Sequence, residues 1–282
     1  MTVKILTDST SYIPASICEE LDITVVSLNV IINHDSKREV DIDLADFYQQ
    51  LPTYPTIPTS SQPSPEEMLA AFEKLTNDGH EVLGIFLSSK MSGTYSSAHL
   101  VKDLILEQNQ DAVIEIFDSQ TNCMQMGLMA IEAAKAAKQG ASLNELLTLV
   151  QTIRDNSRFL FTPETLDYLK KGGRIGNASA LLGNILQIKP ILTVEQGETT
   201  VFTKVRTKKK AILKLIEKLK EDLEGRELGG VVVHHINCAA EGQKLAQQIE
   251  DELQTTVIIQ SIGPVIGCHV GPGSIGIAYF VK

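Results

Sequence analysis

Apolar residues in the first half of this 282-residue chain fall in short runs separated by longer stretches with helical spacing. VKIL (3–6), EVLGIFL (81–87) and AVIEIF (112–117) have the length and β-branched content of strands. ITVVSLNVI (23–31) predicts one further strand, buried on both faces. Helices fill the intervals. One opens at Pro14. A second spans SPEEMLAAFEKL (64–75), with Ser64 as N-cap, Pro65 at the first helical position and Glu67 completing a capping box. A third runs to about Leu106, and a long one from about Thr121 to Lys138. Strand–helix alternation at this spacing predicts right-handed crossovers and a largely parallel sheet covered by helices.

The pattern changes near residue 157. SRFLF (157–161) predicts a strand, ETLDYLKKGG (164–173) a helix stopped by paired glycines, and ASALLGNIL (178–186) a short apolar helix. ILTVEQGETTVFTKV (191–205) reads as a hairpin turning at Gln196-Gly197, which requires antiparallel pairing. A basic helix, the strand GGVVVHH (229–235), another helix and the strands TTVIIQSI and SIGIAYFVK follow. The expected fold class is therefore α/β in two domains: an α/β domain over residues 1–157 and an α+β domain with a mixed sheet over 158–282. No repeat at solenoid spacing and no low-complexity segment interrupts either half.

Charge and composition narrow the partners. Hydrophobic residues make up 43% and charged residues 21%, the balance of a soluble globular chain, and the net charge is -10. No basic sheath for nucleic acid exists, and the acidic balance opposes non-specific adsorption to anionic membranes. MTVKILTDST turns polar too soon for a secretory signal, and no apolar run approaches the ~20 residues of a spanning helix. A cytoplasmic protein without stable membrane insertion is expected. The four cysteines are scattered with no CxxC pair, which favours free thiols. HHINC (234–238) lacks the spacing of a metal site, so no metal and no cofactor is expected.

Candidate chemistry clusters at strand exits. Asp8-Ser9-Thr10 follows the first strand, Ser88-Ser89 and Ser92-Gly93-Thr94 follow the third, and Asp118-Ser119 follows the fourth. Each alone is an ordinary helix cap. Together they point to one rim, because ligands of open parallel sheets bind at the carboxyl ends of the strands. SSKMSGT pairs hydroxyls with a glycine at a helix start, a donor-rich anion cup. It lacks the GK[ST] ending of a P-loop, so a carboxylate or single phosphoryl group fits better than a nucleotide. PTSSQPSP (58–65) holds Thr59, Ser60, Ser61 and Gln62 between prolines, and GPVIGCHVGPGSIG (263–276) surrounds His269 with glycines. Arg206, in KVRTKKKA (204–211), could clamp an anionic group at two points.

ILTDSTSYIP, SSQPSP, LSSKMSGTYSSA, FDSQT, YLKKGGRIG, KVRTKKKA and IGCHVGPGSIGIAYF occur in the order and spacing of the DegV family, and the resemblance covers the whole chain. It implies a two-domain bacterial protein that holds one long-chain fatty acid between its domains. Many members are the acyl-carrying subunit of a two-component fatty acid kinase, whose partner phosphorylates the carboxylate. By position, the family's TSQP threonine falls on Ser60, with Ser61 beside it, and the SGT serine on Ser92, with Gly93 and Thr94 following. The strand-exit reading puts Ser9 among the ligand-binding residues, and the resemblance puts Ser60, Ser61, Ser92, Gly93 and Thr94 there together with His269 and Arg206. It assigns assistance in phosphoryl transfer to Arg206 and His269, and kinase docking to Arg174. Serine at position 60 keeps the hydroxyl donor and loses the methyl that restricts a threonine rotamer.

Such a ligand needs a polar end and an apolar tunnel. Burying ~16 methylenes at about 0.8 kcal/mol each contributes on the order of 10 kcal/mol before ordering costs. ASALLGNIL, ITVVSLNV and MQMGLM (124–129) are candidate walls, although most of their residues read as core. The alternative is a serine-dependent acyl hydrolase using Ser92, His269 and Asp8 or Asp118, although SKMSG does not match the GxSxG elbow. A phosphosugar-type kinase or isomerase would need nucleotide or metal motifs that the sequence does not offer.

Overall fold

The computed structural model describes residues 2–182 and 188–282. In the first half the chain forms β1 (Val3–Asp8), α1 (Ala15–Leu21), β2 (Thr24–Val26), β3 (Asn29–Ile32), β4 (Asp35–Arg38), α2 (Leu44–Gln50) and β5 (Thr59–Ser61). There follow α3 (Pro65–Asn77), β6 (Glu81–Phe86), α4 (Thr94–Gln108), β7 (Ile114–Asp118), α5 (Cys123–Lys138) and α6 (Leu143–Asp155). The second half holds β8 (Ser157–Thr162), α7 (Asp167–Lys171), β9 (Lys189–Glu195), β10 (Glu198–Val205) and α8 (Lys208–Asp222). It closes with β11 (Leu228–His235), α9 (Ala239–Leu253), β12 (Ile258–Ser261), α10 (Pro264–Val270) and β13 (Ile275–Val281).

Strands β2-β1-β6-β7 form a wholly parallel sheet, in that order. Strands β10-β9-β8-β13-β11-β12 form a six-stranded mixed sheet, parallel only between β11 and β12. The parallel sheet uses residues before 157, and the mixed sheet begins at Ser157. Helix α5 packs against both β1 and β13, so one apolar core runs through the two halves and includes Met124, Met126 and Met129. Among the described residues, no helix is long and apolar enough to cross a membrane.

Three expectations need correction. The run 23–31 is two strands in two sheets, because the chain turns at Ser27 and Leu28. There the Ser27 amide donates to Glu67 Oε1 (3.0 Å) and the Leu28 amide to Ser9 Oγ (3.0 Å). β3 then joins β4 and β5 in a small antiparallel sheet that the sequence pattern does not reveal. The capping box at Ser64 is half made: Ser64 Oγ accepts from the Glu67 amide (3.1 Å), but the Glu67 carboxylate turns to Ser27 and Arg38. The segment after Ile175 is a 3-10 turn over Gly176–Leu181, and the remainder of the predicted apolar helix lies outside the described residues.

Candidate functional site

Adjacent strands β1, β6 and β7 do carry their hydroxyl-rich exits to one rim. The middle exit supplies Ser92 and Gly93 to the cavity and the β7 exit reaches it through Asn122, while Asp8 and Asp118 support the frame. Asp8, fully buried, accepts from the Thr10 amide (2.9 Å) and from the amide of Leu87 (2.9 Å). Asp118 accepts from the Ser89 amide (3.2 Å) and the Ser89 hydroxyl (2.5 Å). Two carboxylates thus anchor the β6 exit from either side. Ser88 Oγ extends the frame by donating to the carbonyl of Gly197 (2.7 Å), at the tip of the β9–β10 hairpin. Gly197 takes φ +84°, a conformation that favours glycine.

Beyond this exit lies a cavity of about 460 Å³, within the size range of small-molecule sites. Its polar end gathers Ser60, Ser61 and Gln62 from β5 and its exit, Ser92 and Gly93 from the β6 exit, and His269 from α10. Apolar walls come from both halves of the chain, with Leu28 and Leu87 on one side and Phe159, Phe161, Val194 and Ile266 on the other. The two phenyl rings project from alternate positions of β8 and stack with centroids 5.1 Å apart. His234 also lines the cavity. Its Nε2 accepts from the Met124 amide (3.1 Å) while Nδ1 donates to the Gln260 carbonyl (3.0 Å). Burial holds this imidazole neutral, its pKa pushed down to about 4.

At the polar end, Ser60 Oγ lies 2.8 Å from His269 Nε2. Burial, reinforced by the charge of Arg174, lowers the His269 pKa to about 4, so the ring is neutral near pH 7. Its Nδ1 is buried without a hydrogen-bond partner. An N–H at that position would be an orphaned donor, so the proton belongs on Nε2, donating to Ser60 Oγ. The Ser60 proton is then left for an acceptor in the cavity. Ser92 Oγ sits 2.9 Å from Thr94 Oγ1 and accepts from the Thr94 amide (3.3 Å). Gly93 has an ordinary helical φ of -73°; its lack of a side chain matters because a Cβ there would strike Gln62 Oε1. Gly172 makes room in the same way for the His269 ring.

The structure therefore brings Ser60, Ser61, Ser92, Gly93 and His269 to one place. It separates Thr94, Ser9 and Arg206 from them. Thr94 is buried and braces Ser92 rather than facing the cavity. Ser9 is buried too, and turns to Glu39 and Leu28 instead. Arg206 is exposed between β10 and α8, away from the cavity lining. Arg174 does line the cavity, at its exposed mouth, where Nε donates to Met91 O (3.1 Å) and Nη1 to Gly172 O (2.8 Å). Of the candidate walls, ITVVSLNV contributes Leu28, whereas the methionines of MQMGLM are core. Phe159 and Phe161 went unassigned by the sequence reading. Their two-residue spacing on a strand marks a shared face, but not which face meets a cavity.

The hydrolase geometry is not assembled. His269 bonds Ser60 rather than Ser92, no carboxylate among the described residues meets its Nδ1, and Asp8 and Asp118 are committed to backbone and hydroxyl donors of the exits. A group-binding end on an apolar cavity remains, and among the described residues no cluster of three or more potential metal ligands occurs.

Fold and site together define an α/β protein with a parallel sheet, a mixed sheet and a small antiparallel sheet, and a hydroxyl-headed apolar cavity lined from all three. The family described as uncharacterised DegV proteins matches residues 2–282, and the chain belongs to the DegV family. A DegV domain-containing protein of Clostridium acetobutylicum is 50% identical over 282 residues, covering 100% of this chain and 99% of the relative. The crystal structure of DegV from Bacillus subtilis, described as a fatty acid binding protein, superposes with a TM-score of 0.91 at 31% identity, covering 100% of both chains. A stearic acid-binding protein from Eubacterium ventriosum gives a TM-score of 0.90 at 27% identity, covering 99% of this chain and 98% of that one.

Proposed function

We propose that this protein binds one long-chain fatty acid, with the carboxylate on the hydroxyls of Ser60 and Ser92 and the tail in the apolar cavity. The observation that carries this reading is the joining of that enclosed, largely apolar space to an end holding three serines and a neutral imidazole. Affinity comes from burying the chain, and the head group fixes its orientation. Hydroxyl donors leave a carboxylate more basic than a tight ion pair would, which suits an acid that must act as a nucleophile. The likeness to the Bacillus and Eubacterium proteins supports the same ligand class.

The finer reading is that the protein turns nothing over itself. It presents the acid, in the cytoplasm, to a fatty acid kinase that forms the acyl phosphate. His269 would assist at the carboxylate, and Arg174, exposed at the mouth, would face the kinase. Arg206 lies outside the cavity lining and is given no part at the carboxylate. Two domains meeting around the acyl chain fit the change of sheet at residue 157.

Organic extraction of freshly purified protein followed by mass spectrometry tests the ligand. Near-stoichiometric fatty acid is expected. An empty extract, with no uptake of added palmitate, would overturn the reading and direct attention to ester hydrolysis. Adding ATP and a bacterial fatty acid kinase to the loaded protein should yield acyl phosphate, trapped by hydroxylamine as the hydroxamate.

A further inference from the structure

Behind the head-group pocket lies a buried carboxylate that the proposed binding does not use. Glu39 follows β4 and is 5% exposed. It accepts from Ser9 Oγ (2.5 Å), from Tyr12 OH (2.8 Å) and from the amide of Val265 (2.8 Å). The next amide, Ile266, donates to Tyr12 OH (3.2 Å). Two successive amides of α10, the helix that carries His269, are thus tied to Glu39 directly or through one phenol.

The same residue is tied to the strand that carries Ser60. Its amide donates to Leu28 O (2.8 Å), and the Leu28 amide donates to Ser9 Oγ (3.0 Å), closing a ring of hydrogen bonds. Leu28 leads into β3, whose Val30 pairs with Ser60 of β5. On the side of α10 the packing is close: a Cβ on Gly263 would come within 2.6 Å of both Glu39 Oε1 and the Tyr12 ring.

We infer that Glu39 is a positioning residue for the head-group pocket, setting where α10 lies against β5 and so holding His269 Nε2 against Ser60 Oγ. Helix α10 has seven residues, too few to be stable alone, so its place is decided by what it docks on. Removing the carboxylate takes away the one acceptor that fixes the Val265 amide and the Tyr12 hydroxyl in place, and a water in its position would satisfy them without tying α10 to β4. Glutamine keeps the acceptor for both, and its amide can donate to Ser9 Oγ. The expected order is therefore wild type close to Glu39→Gln, with Glu39→Ala impaired. A second cavity of about 470 Å³ opens on Glu39, giving water room to fill the space an alanine leaves.

The test has two arms. In ligand-free protein labelled with 15N-histidine, Glu39→Ala should move the His269 ring nitrogens towards the averaged values of a mobile imidazole, and Glu39→Gln should restore them. In stripped protein, Glu39→Ala should raise the Kd for myristate, palmitate and stearate by one common factor of about tenfold or more. Its increments per methylene should match wild type. The binding arm rests on the fatty-acid reading and the resonance arm does not, so wild type that fails to bind palmitate would defeat that reading alone. Unmoved His269 resonances together with unchanged affinities, or a loss that Gln fails to rescue, would overturn the assignment. Should Glu39→Ala not fold, Tyr12→Phe retains the ring and deletes one tie. It is expected to shift His269 by a smaller amount, and an unmoved resonance there overturns the proposal equally.

Discussion

Ser60 reaches the cavity from strand β5 and Ser92 from the β6 exit, so each can be removed with the other in place. A hydrogen bond to a charged group contributes roughly 1.5–3 kcal/mol. Ser92→Ala should weaken palmitate binding by that amount in calorimetric titration, with Thr94 unable to substitute because it is buried behind. Burial also sets opposing pH responses. His234 and His269 hold their protons less tightly folded, at about 4, than at the ordinary 6.5. Their contribution is full above pH 6.5 and is lost as the pH falls through 4. Glu39 goes the other way, raised by burial from 4.5 to about 7, with Asp8, Tyr12, Tyr48, Cys123 and Cys268 facing it and no cation among them. Folded protein therefore holds the extra proton between those values, and stability falls as the pH rises through them. Urea denaturation from pH 4.5 to 7 should show Glu39→Gln gaining on wild type steadily across that window. A constant difference would contradict the assignment.

Helix α10 illustrates what a short element needs. Tyr48 OH donates to the carbonyls of Ile262 (2.8 Å) and Gly263 (3.0 Å), and Gly267 lies directly against that hydroxyl, with no room for a Cβ. Gly267→Ala should cost about 1–3 kcal/mol through overpacking, read as a fall in melting temperature. Because the displaced element carries His269, fatty acid affinity should fall with it. Gly172→Ala presses on the His269 ring from the opposite element, α7 and its exit. There the expected result is weaker binding with a smaller change in melting temperature, since the glycine is only half buried. These positions were legible as glycines in the sequence, but their partners were not. Gly93 allows a close or a left-handed approach by its type alone, and the fold uses the close one, against Gln62.

For the molecule as a whole, the cavity draws its walls from both sides of residue 157, so ligand and fold are coupled. Affinity should rise by about 0.8 kcal/mol per added methylene until the chain fills the available length, then level off. Titration calorimetry across saturated acids would locate the break, and the heat-capacity change should be negative. A ligand present at 100 times its Kd adds about 2.7 kcal/mol to folding stability. Stripped protein should accordingly melt below the loaded form. An unchanged melting temperature on adding palmitate to stripped protein would show that the folded protein does not bind it.

The sequence by itself determined the alternation of strands and helices, the hairpin at Gln196-Gly197 and the hydroxyl-rich strand exits. These are local properties, written in periodicity, turn chemistry and caps. It also brought forward Ser60, Ser92 and His269, because hydroxyls beside glycine and proline stand out from an ordinary core. Only the tertiary structure decided that Ser9 and Thr94 brace the site rather than line it, and that Arg206 stands apart from it. Only the fold made Phe159, Phe161 and Leu28 into walls, since an apolar side chain facing a cavity and one facing the core are written identically. The same holds for Glu39. Nothing adjacent in the chain marks it, and its part in the site exists only because residues 9, 28, 39 and 265 meet in space.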